Sequence, residues 1–206
     1  MKILREEIIK SPDTTRKDRL PPRQRLVKDW PVLHYGSVPL IDTSKWTFAL
    51  FGLVEKERRL SFQEFQELPG VRIFSDIHCV TGWSRFDNLW EGVSSRTIMD
   101  LVHILPAAKY VMVHGEGGFT TNLTLEDFLG TDVLFAFSHN GRDLSPEHGF
   151  PLRLVVPRLY FWKSAKWAID VEFMAEERPG FWESNGYHIR GDPWKEERYG
   201  SGRDSR

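Results

Sequence analysis

The sequence contains very little cysteine: Cys79 is the only one among 206 residues. A single cysteine excludes an internal disulfide and any zinc or iron–sulfur site that needs a CxxC pair. An unpaired thiol is also typical of proteins in a reducing compartment. Any thiol chemistry of this chain must therefore use one side chain.

The sequence also lacks an excess of one charge and a long apolar run. Lys and Arg total 28 against 29 Asp and Glu, so the net charge of −1 gives no electrostatic reason to expect nucleic acid or an acidic membrane as a partner. No window approaches the roughly 18 apolar residues of a membrane span. Residues 1–30 lack the apolar stretch of a secretory signal peptide. We therefore expect a cytoplasmic protein with no membrane span and no nucleic-acid partner.

The common nucleotide-binding motifs are missing as well. The stretch GEGGF at residues 115–119 resembles a phosphate loop, but it lacks the GxxxxGK[ST] spacing. GxGxxG does not occur anywhere in the chain. We interpret GEGGF as a turn, which disfavours nucleotide binding by a P-loop or a Rossmann motif.

Aromatic residues are abundant, with 14 Phe and 8 Trp, and hydrophobic residues make up 40% of the chain. A sequence of this length and composition can bury a large core, and flat rings also line cofactor clefts. Residues 1–30 are polar and mostly basic and contain Pro21-Pro22. We predict an extended N-terminal arm over 1–30 and one domain over 31–206.

Strand patterns outnumber helix patterns. Alternating or β-branched runs predict strands over 46–54, over 71–79 with its end at the cysteine, and over 109–115. Further strands are predicted around 133–137, 151–157 and 166–174. Asn140-Gly141 between two runs predicts a hairpin. We interpret the segment after the cysteine as an aromatic loop.

Short helices are scattered between these strands. Ser61 with Glu64 three positions later forms a capping-box pattern, Ser94 or Ser95 is a cap for a helix that Pro106 ends, and Thr124 caps another turn. Helices and strands do not alternate regularly, which indicates an α+β fold with a mixed β-sheet. The polar tail after residue 176 is predicted to be irregular and pinned to the surface by its aromatic residues. These are Phe181, Trp182, Tyr187 and Trp194.

The first informative segment is DIHCVTGWSRFDNLWEG, residues 76–92, which surrounds Cys79 with aromatic and small residues. A lone cysteine is often just a small buried side chain. The neighbouring His78 invites a thiolate–imidazolium pair, but successive side chains of a strand point to opposite faces, so His78 cannot activate Cys79 directly. A Cys79-dependent hydrolase or transferase without a metal stays open, because such sites are defined by geometry rather than sequence order.

The second informative segment is EHGFPLRLVVPRLYFWKSAKW, residues 147–167, where basic and aromatic residues interleave. Three interpretations are open. Cations on a sheet face can cover apolar surface with their stems. Basic and aromatic side chains can bind single-stranded nucleic acid, which the net charge disfavours and which would make the chain a non-catalytic anion-binding module. Arginine and lysine can also hold a phosphorylated ligand.

Together these two segments resemble the molybdopterin-binding catalytic domain shared by sulfite oxidases and the bacterial protein-methionine-sulfoxide reductase catalytic subunits. The resemblance covers about residues 31–175, and the tail is similar to a short cytoplasmic branch of sulfite oxidase-like oxidoreductases. It implies the α+β fold of that domain and oxygen-atom transfer at molybdenum bound to one molybdopterin. It also implies that Cys79 is the thiolate ligand of the metal, which suits a soft donor.

The resemblance further assigns contacts to the pterin and its phosphate. These candidates are His34, Tyr35, His114, Gly115, His148, Arg153, Lys163, Ser164 and Lys166.

The sequence departs from the sulfite oxidases at one informative position. Trp83 stands where they carry an arginine, four residues after the cysteine, and CVTGWS is closer to the reductase pattern. Arg85 is the only arginine near the cysteine in sequence and is therefore the candidate catalytic cation. We expect a small-molecule substrate that is a neutral oxide rather than sulfite. No haem domain is recognised, so a separate protein is expected to donate or accept the electrons.

Overall fold

The computed structural model describes residues 4–200, with side chains from Glu7 onward. Twelve strands are described. They are β1 (Leu4–Lys10), β2 (Arg25–Leu26), β3 (Thr47–Gly52), β4 (Arg58–Ser61), β5 (Gly70–Cys79), β6 (Trp83–Ser94), β7 (Tyr110–Gly115), β8 (Phe119–Thr124), β9 (Leu134–His139), β10 (Arg142–Asp143), β11 (Arg153–Val155) and β12 (Ala168–Met174).

The strands form two sheets. A seven-stranded sheet has the order β1-β5-β6-β9-β10, with β11 also paired to β9 and β2 to β6, and a five-stranded sheet has the order β4-β3-β12-β7-β8. Parallel pairs (β1/β5, β2/β6, β3/β12) stand among antiparallel ones. Both sheets are therefore mixed, as the α+β prediction expected.

The four helices are short: α1 (Phe62–Gln66), α2 (Ser95–Met99), α3 (Leu125–Phe128) and α4 (Phe181–Ser184). The capping predictions are confirmed. Ser61 and Glu64 form both bonds of a capping box, and the side chains of Ser94 and Thr124 accept backbone N–H bonds at the starts of α2 and α3. Such caps satisfy N–H groups that have no partner inside the helix.

The prediction that α2 runs on to Pro106 is wrong, because the helix ends at Met99. Ile104 instead forms a β-bridge with Val54, and the backbone N–H of Leu105 donates to the carbonyl of Leu53 at 2.9 Å. This pairing with a distant segment draws the chain out of the helix, although the apolar positions after Met99 continue to face the core.

The aromatic segment after the cysteine is a strand and not a loop. β6 pairs antiparallel with β5, and the two are joined by a tight turn in which the N–H of Gly82 donates to the carbonyl of Cys79 at 3.0 Å. Gly82 has a φ of +90°, which favours glycine. The strand ending at Cys79 is confirmed, and Cys79 lies at the tip of a long hairpin.

Two hydrophobic clusters form the interior. One packs the five-stranded sheet against β9 and β11, with Phe48, Phe135 and Phe173 near its centre. The other lies around Trp90 and Tyr160 and includes Cys79 at its edge. The candidate thiol therefore sits where a core cluster meets the surface.

The predicted N-terminal arm contains β1 and β2, which add to the seven-stranded sheet. The division into an arm over 1–30 and a domain over 31–206 stays a prediction. Between residues 4 and 200 there is no helix whose length and apolar character would let it span a membrane.

Candidate functional site

A cavity of about 480 Å³ opens beside the tip of the β5–β6 hairpin. This is within the size range of cofactor and small-molecule sites. Its walls come from segments that are far apart in the sequence. The lining includes Trp30–Ser37 except Val32, Cys79–Thr81 and Trp83, Glu116–Phe119, Arg153, Phe161, Trp162, Ser164, Lys166, Trp167, Phe181, Trp182 and Tyr187.

Cys79 is a free thiol on this wall and is 9% exposed. Its Sγ lies 3.2 Å from the Thr81 hydroxyl, which is its hydrogen-bond partner among the described residues. Burial raises the pKa of the Cys79 thiol, and the contact with Thr81 opposes this only in part. The free protein therefore holds a protonated thiol at neutral pH, and a metal ion bound here would displace that proton.

His78 is not positioned to activate Cys79. Its Nδ1 is 2.8 Å from the Ser84 hydroxyl, and its ring packs against Trp194. Burial lowers the pKa of His78 to about 4, so the ring is neutral at physiological pH. This arrangement agrees with the expectation that neighbouring strand residues face opposite ways.

Arg153 is a buried cation with no carboxylate partner among the described residues. It is 2% exposed and donates to the carbonyls of His148 at 2.8 Å and Ser164 at 2.9 Å. Its guanidinium lies 4.3 Å from the ring centre of Phe161 and 5.1 Å from that of Trp30. Burial lowers the pKa of Arg153 to about 9, so it stays charged at neutral pH.

Lys166 is a second cation on the same wall. Its Nζ donates to the carbonyl of Glu147 at 2.6 Å and lies 5.0 Å from the ring centre of Trp167. Burial, with a further contribution from the charge of Arg153, lowers the pKa of Lys166 to about 7. Two like charges on a partly buried wall repel each other, and an anion bound near both would offset this repulsion.

His148 and Ser164 complete what we call the cationic group, which consists of His148, Arg153, Ser164 and Lys166. Of these four, His148 is not among the lining residues and packs against Trp30, which is. The His148 ring packs against Trp30 with ring centres 4.0 Å apart and planes tilted by 37°, and its Nε2 is buried without a partner among the described residues. The Ser164 hydroxyl accepts from the N–H of Val156 at 2.9 Å, which leaves its proton free to donate.

The second set is the thiol group, which we define as Cys79, Thr81, Trp83 and Tyr187. The register of the sheet separates the two groups. Cys79 lies opposite Trp83 at the start of β6, beside the hairpin turn. Arg153 lies opposite Ala136 of β9, and Ala136 lies opposite Gly92, which is nine residues further along β6 than Trp83. One cavity therefore joins a cationic region to a region around a thiol.

Several predicted residues lie at the cavity margin or away from it. His34 and Tyr35 line the mouth, where Tyr35 is 69% exposed. His114 hydrogen-bonds Asp170, its partner on the neighbouring strand β12 of the five-stranded sheet. The neighbouring Gly115 lies against the backbone of Lys166, where an added Cβ would come within 2.5 Å of the carbonyl oxygen.

Two predicted cations have other partners. The Lys163 side chain is fully buried and forms an ion pair with Glu183 at 2.6 Å. Arg85 donates to the carbonyl of Lys28 at 3.1 Å and also contacts Asn88 and His139. Neither residue is among those that line the cavity. Their roles, like those of the other candidates, stay predictions.

The structure adds residues that sequence reasoning missed. Trp30 forms one wall, and Phe181, Trp182 and Tyr187 form another, so three of the four tail aromatics face the cavity instead of only pinning the tail. Burial, with contributions from Tyr199 and Cys79, raises the pKa of Tyr187. The concentration of rings in a polar tail was the available signal, but it does not say which surface the rings cover.

The donor set fits a metal held by a cofactor. The described residues contain no cluster of three or more His, Cys, Asp and Glu side chains that could hold a metal ion. Any metal beside Cys79 would therefore take its remaining ligands from another molecule. The cationic group supplies an anion site and the aromatic walls suit a flat ring system, so the residues present fit a metal–pterin cofactor with a phosphate.

Comparisons with known proteins agree with this geometry. The family described as "Oxidoreductase molybdopterin binding domain" matches residues 35–182. A Bacillus subtilis protein, "Uncharacterized oxidoreductase YuiH", is 49% identical over 92% of this chain and 96% of its own length. "Sulfite oxidase" of Arabidopsis thaliana is 28% identical over 82% of this chain and 54% of its own length.

Among solved structures, the sulfane dehydrogenase SoxCD of Paracoccus pantotrophus aligns with a TM-score of 0.64 at 20% identity, over 69% of this chain and 41% of that one. The chain thus spans about half of the plant enzyme and less than half of the SoxCD chain. The likeness to SoxCD supports the predicted fold.

Proposed function

The chain belongs to the oxidoreductase molybdopterin-binding domain family and is a molybdopterin-dependent oxidoreductase, and from this premise we propose that it exchanges an oxygen atom with a small, uncharged sulfur compound. A sulfoxide is the substrate class that suits the site best, and sulfite is disfavoured. The observation that carries this proposal is the neutral lining around Cys79.

Within the proposal, the two groups of the cavity have separate tasks. Cys79 provides the protein thiolate for molybdenum, and Arg153, Ser164, Lys166 and His148 hold the phosphate of the pterin. When bound, molybdenum–molybdopterin supplies a redox centre that can take up or release an oxygen atom. The aromatic walls exclude water from the thiol group, which strengthens electrostatic interactions there.

Sulfite is an oxyanion, and a site for it needs cations close to the metal to offset its charge. Arg153 and Lys166 are the Arg and Lys side chains among the described lining residues, and both belong to the cationic group. Trp83 and Tyr187 are the neighbours of Cys79 on the lining instead. A neutral oxide avoids the electrostatic penalty that sulfite would meet beside them.

Arg198 is near Cys79 in space and Arg85 is near it in sequence, but neither is among the residues that line the cavity. Arg198 acts electrostatically on Cys79, but its guanidinium hydrogen-bonds the carbonyl of Val80 and lies 5.2 Å from the ring centre of Tyr160, and it does not line the cavity. Arg85 is bound to Lys28, Asn88 and His139. Both guanidinium groups already have hydrogen-bond partners.

Tyr187 can serve the reduction directly. Reducing a sulfoxide to a thioether takes up two electrons and two protons and releases water. Because the pKa of Tyr187 is raised by burial, Tyr199 and Cys79, its hydroxyl stays protonated at neutral pH and can donate a hydrogen bond to the oxide oxygen. Trp83, which lies opposite Cys79 across the hairpin, lines the same part of the cavity and adds apolar surface there.

The proposal is tested by comparing two assays on protein produced in a host that makes molybdopterin. One follows sulfite oxidation with an acceptor dye, and the other follows reduction of a small sulfoxide by a reduced viologen. We expect a higher kcat/KM for the sulfoxide. A higher kcat/KM for sulfite would overturn the substrate assignment, and protein without stoichiometric molybdenum would contradict the metal assignment.

The electrons are proposed to come from a separate redox protein, in line with the expectation drawn from the sequence. We also propose that the protein works in the cytoplasm, where a reducing environment keeps Cys79 available as a thiol for the metal. Cell fractionation with an antibody to the protein tests the location, and recovery outside the cytoplasm would contradict it.

A further inference from the structure

Lys163 and Glu183 form an ion pair that is shielded from water on both sides. Their side chains are 0% and 2% exposed, and Nζ lies 2.6 Å from Oε1. Lys163 Nζ also donates to the backbone carbonyl and side-chain oxygen of Asn122 at 2.9 and 2.8 Å, and to the carbonyl of Ile189 at 2.6 Å. A buried pair of this kind is weak evidence for stability, because apolar residues of similar size often stabilise a fold as well or better.

The position of the pair suggests a different role. Lys163 stands between Trp162 and Ser164, which line one wall of the cavity, and Glu183 directly follows Phe181 and Trp182, which line another. The Trp162 indole N–H also donates to Glu183 Oε1 at 2.8 Å. The Glu183 carboxylate therefore joins two walls that are about twenty residues apart in the sequence.

The chain around Glu183, residues 180–191, will be called the closing segment. Besides the contacts of Glu183 and Ile189, it is attached through the carbonyl of Gly191, which accepts from the N–H of Tyr160 at 2.8 Å, and through Arg190, which pairs with Asp127 at 3.0 Å. At Gly180 an added Cβ would come within 2.6 Å of the Glu183 carboxylate and 2.8 Å of the carbonyl of Thr120. The closing segment is thus packed tightly where Glu183 attaches and presents Trp182 and Tyr187 to the cavity.

We propose that Glu183 is a positioning residue: through Lys163 and Trp162 it holds Trp182 and Tyr187 against the cavity, so that the closing segment retains the cofactor. The proposal deepens and rests on the proposed function. Lys163, in this view, serves the cofactor through Glu183 and not by touching a phosphate. Lys166, three residues later, is left as the lysine that faces the anion.

Charge explains why a carboxylate is needed at this place. Burial lowers the pKa of Lys163, while the nearby Glu183 carboxylate opposes that shift and favours the charged ammonium. Without the carboxylate, Lys163 would be a buried cation held by carbonyls alone or would lose its proton. Loss of the carboxylate removes the ionic bond to Glu183, and loss of the Lys163 proton weakens the bond to Ile189, so two of the attachments of the closing segment are loosened.

The experiment uses Glu183→Gln, which keeps the shape and removes the charge, and a double variant, Lys163→Met with Glu183→Leu, which replaces the pair by apolar side chains. Arg23→Ala is the matched control, since Arg23 pairs with Glu196 in the same tail at 3.2 Å but is 81% exposed. Two quantities are measured: hydrogen exchange of residues 180–191 by mass spectrometry in cofactor-free protein, and the rate at which loaded protein loses its pterin.

We expect Glu183→Gln to exchange at least roughly tenfold faster across the closing segment and to lose pterin faster, because removing one partner of a buried pair leaves the other uncompensated. The double variant should keep the exchange of β9 and the unfolding temperature of wild type but still open the closing segment faster. Arg23→Ala should change exchange less than about twofold, since exposed pairs contribute little.

A double variant with wild-type exchange and wild-type pterin retention would overturn the proposal, because apolar side chains could then replace the ion pair without any effect on the closing segment. Faster exchange spread evenly over β9 and the closing segment would also overturn it, as a purely structural role predicts. If Glu183→Gln does not fold, the double variant alone tests the positioning role of Glu183. Wild type that never binds pterin would count against the proposed function, while exchange in cofactor-free protein would still decide the role of Glu183.

Discussion

The cationic group and the thiol group share one cavity but are built in different ways. Three of the four residues of the cationic group fall between Arg153 and Lys166 of one chain segment, and its charges lack carboxylate partners among the described residues. The thiol group combines a hairpin tip with Tyr187 from the tail and is uncharged. The difference shows how one region can bind an anionic cofactor while its neighbour remains suited to a neutral substrate.

The sharpest way to separate the two regions is Cys79→Ser. The change is nearly isosteric, so the fold should persist, but a hydroxyl is a poor substitute for a soft thiolate ligand. We expect turnover to fall below detection and the paramagnetic molybdenum signal to change, while pterin content stays close to that of wild type. Thr81→Val, which removes only the hydrogen-bond partner of Sγ, is the control and should keep most of the activity. A fully active Cys79→Ser would contradict the metal assignment.

The next largest effect is expected from Arg153→Ala in the cationic group. A hydrogen bond to a charged group is worth on the order of 1.5–3 kcal/mol, so pterin retention should weaken by roughly tenfold to a hundredfold. The pterin content after gel filtration, with circular dichroism to check the fold, measures this effect. Arg59→Ala is the control, because Arg59 donates to the Thr47 hydroxyl at 3.0 Å on the edge strand β4, outside the cavity lining. A full complement of pterin in Arg153→Ala would place the phosphate elsewhere.

A moderate, pH-dependent effect is expected from Lys166. Its pKa is lowered from 10.5 to about 7, so the side chain is charged below pH 7 and neutral above it. Sulfate, whose charge does not change in this range, should bind cofactor-free protein more weakly as the pH rises from 6 to 8. Lys166→Met should bind sulfate weakly throughout and remove this dependence. Calorimetric titration at several pH values tests the prediction, and identical pH profiles for the two proteins would refute it.

The same lysine should affect folding stability in the opposite sense. Because its pKa is lower in the folded than in the unfolded state, the unfolded chain binds more protons between about pH 7 and pH 10.5. Its contribution to the free energy of unfolding therefore improves as the pH rises through this window. Chemical denaturation of cofactor-free wild type and Lys166→Met across that range isolates the contribution.

The smallest effect is expected from Arg85→Ala. Arg85 hydrogen-bonds Lys28, Asn88 and His139 and does not line the cavity, so we expect less than about a twofold change in kcat/KM for a sulfoxide. Steady-state kinetics on fully loaded enzyme is the measurement. A loss of tenfold or more in kcat/KM would show that Arg85 acts on the substrate. The region around Cys79 would then not be neutral.

Short-range patterns were sufficient to predict the local features of the fold. Alternation and capping patterns located the strand that ends at Cys79, the capping box at Ser61 and the hairpin at Asn140-Gly141, because these depend on residues close together in the chain. The resemblance carried by two motifs was sufficient for the family and its cofactor, since both motifs survive in one chain with their order intact.

Which of several similar side chains face the cavity depends on the packing of distant segments. Lys163 and Lys166 are the same residue type three positions apart, yet Lys163 pairs with Glu183 in the interior and Lys166 lines the cavity. Tyr187 reaches the region of Cys79 from more than a hundred residues away. A charge or a ring takes its environment from contacts with segments that are distant in the chain, and the local sequence does not specify those partners.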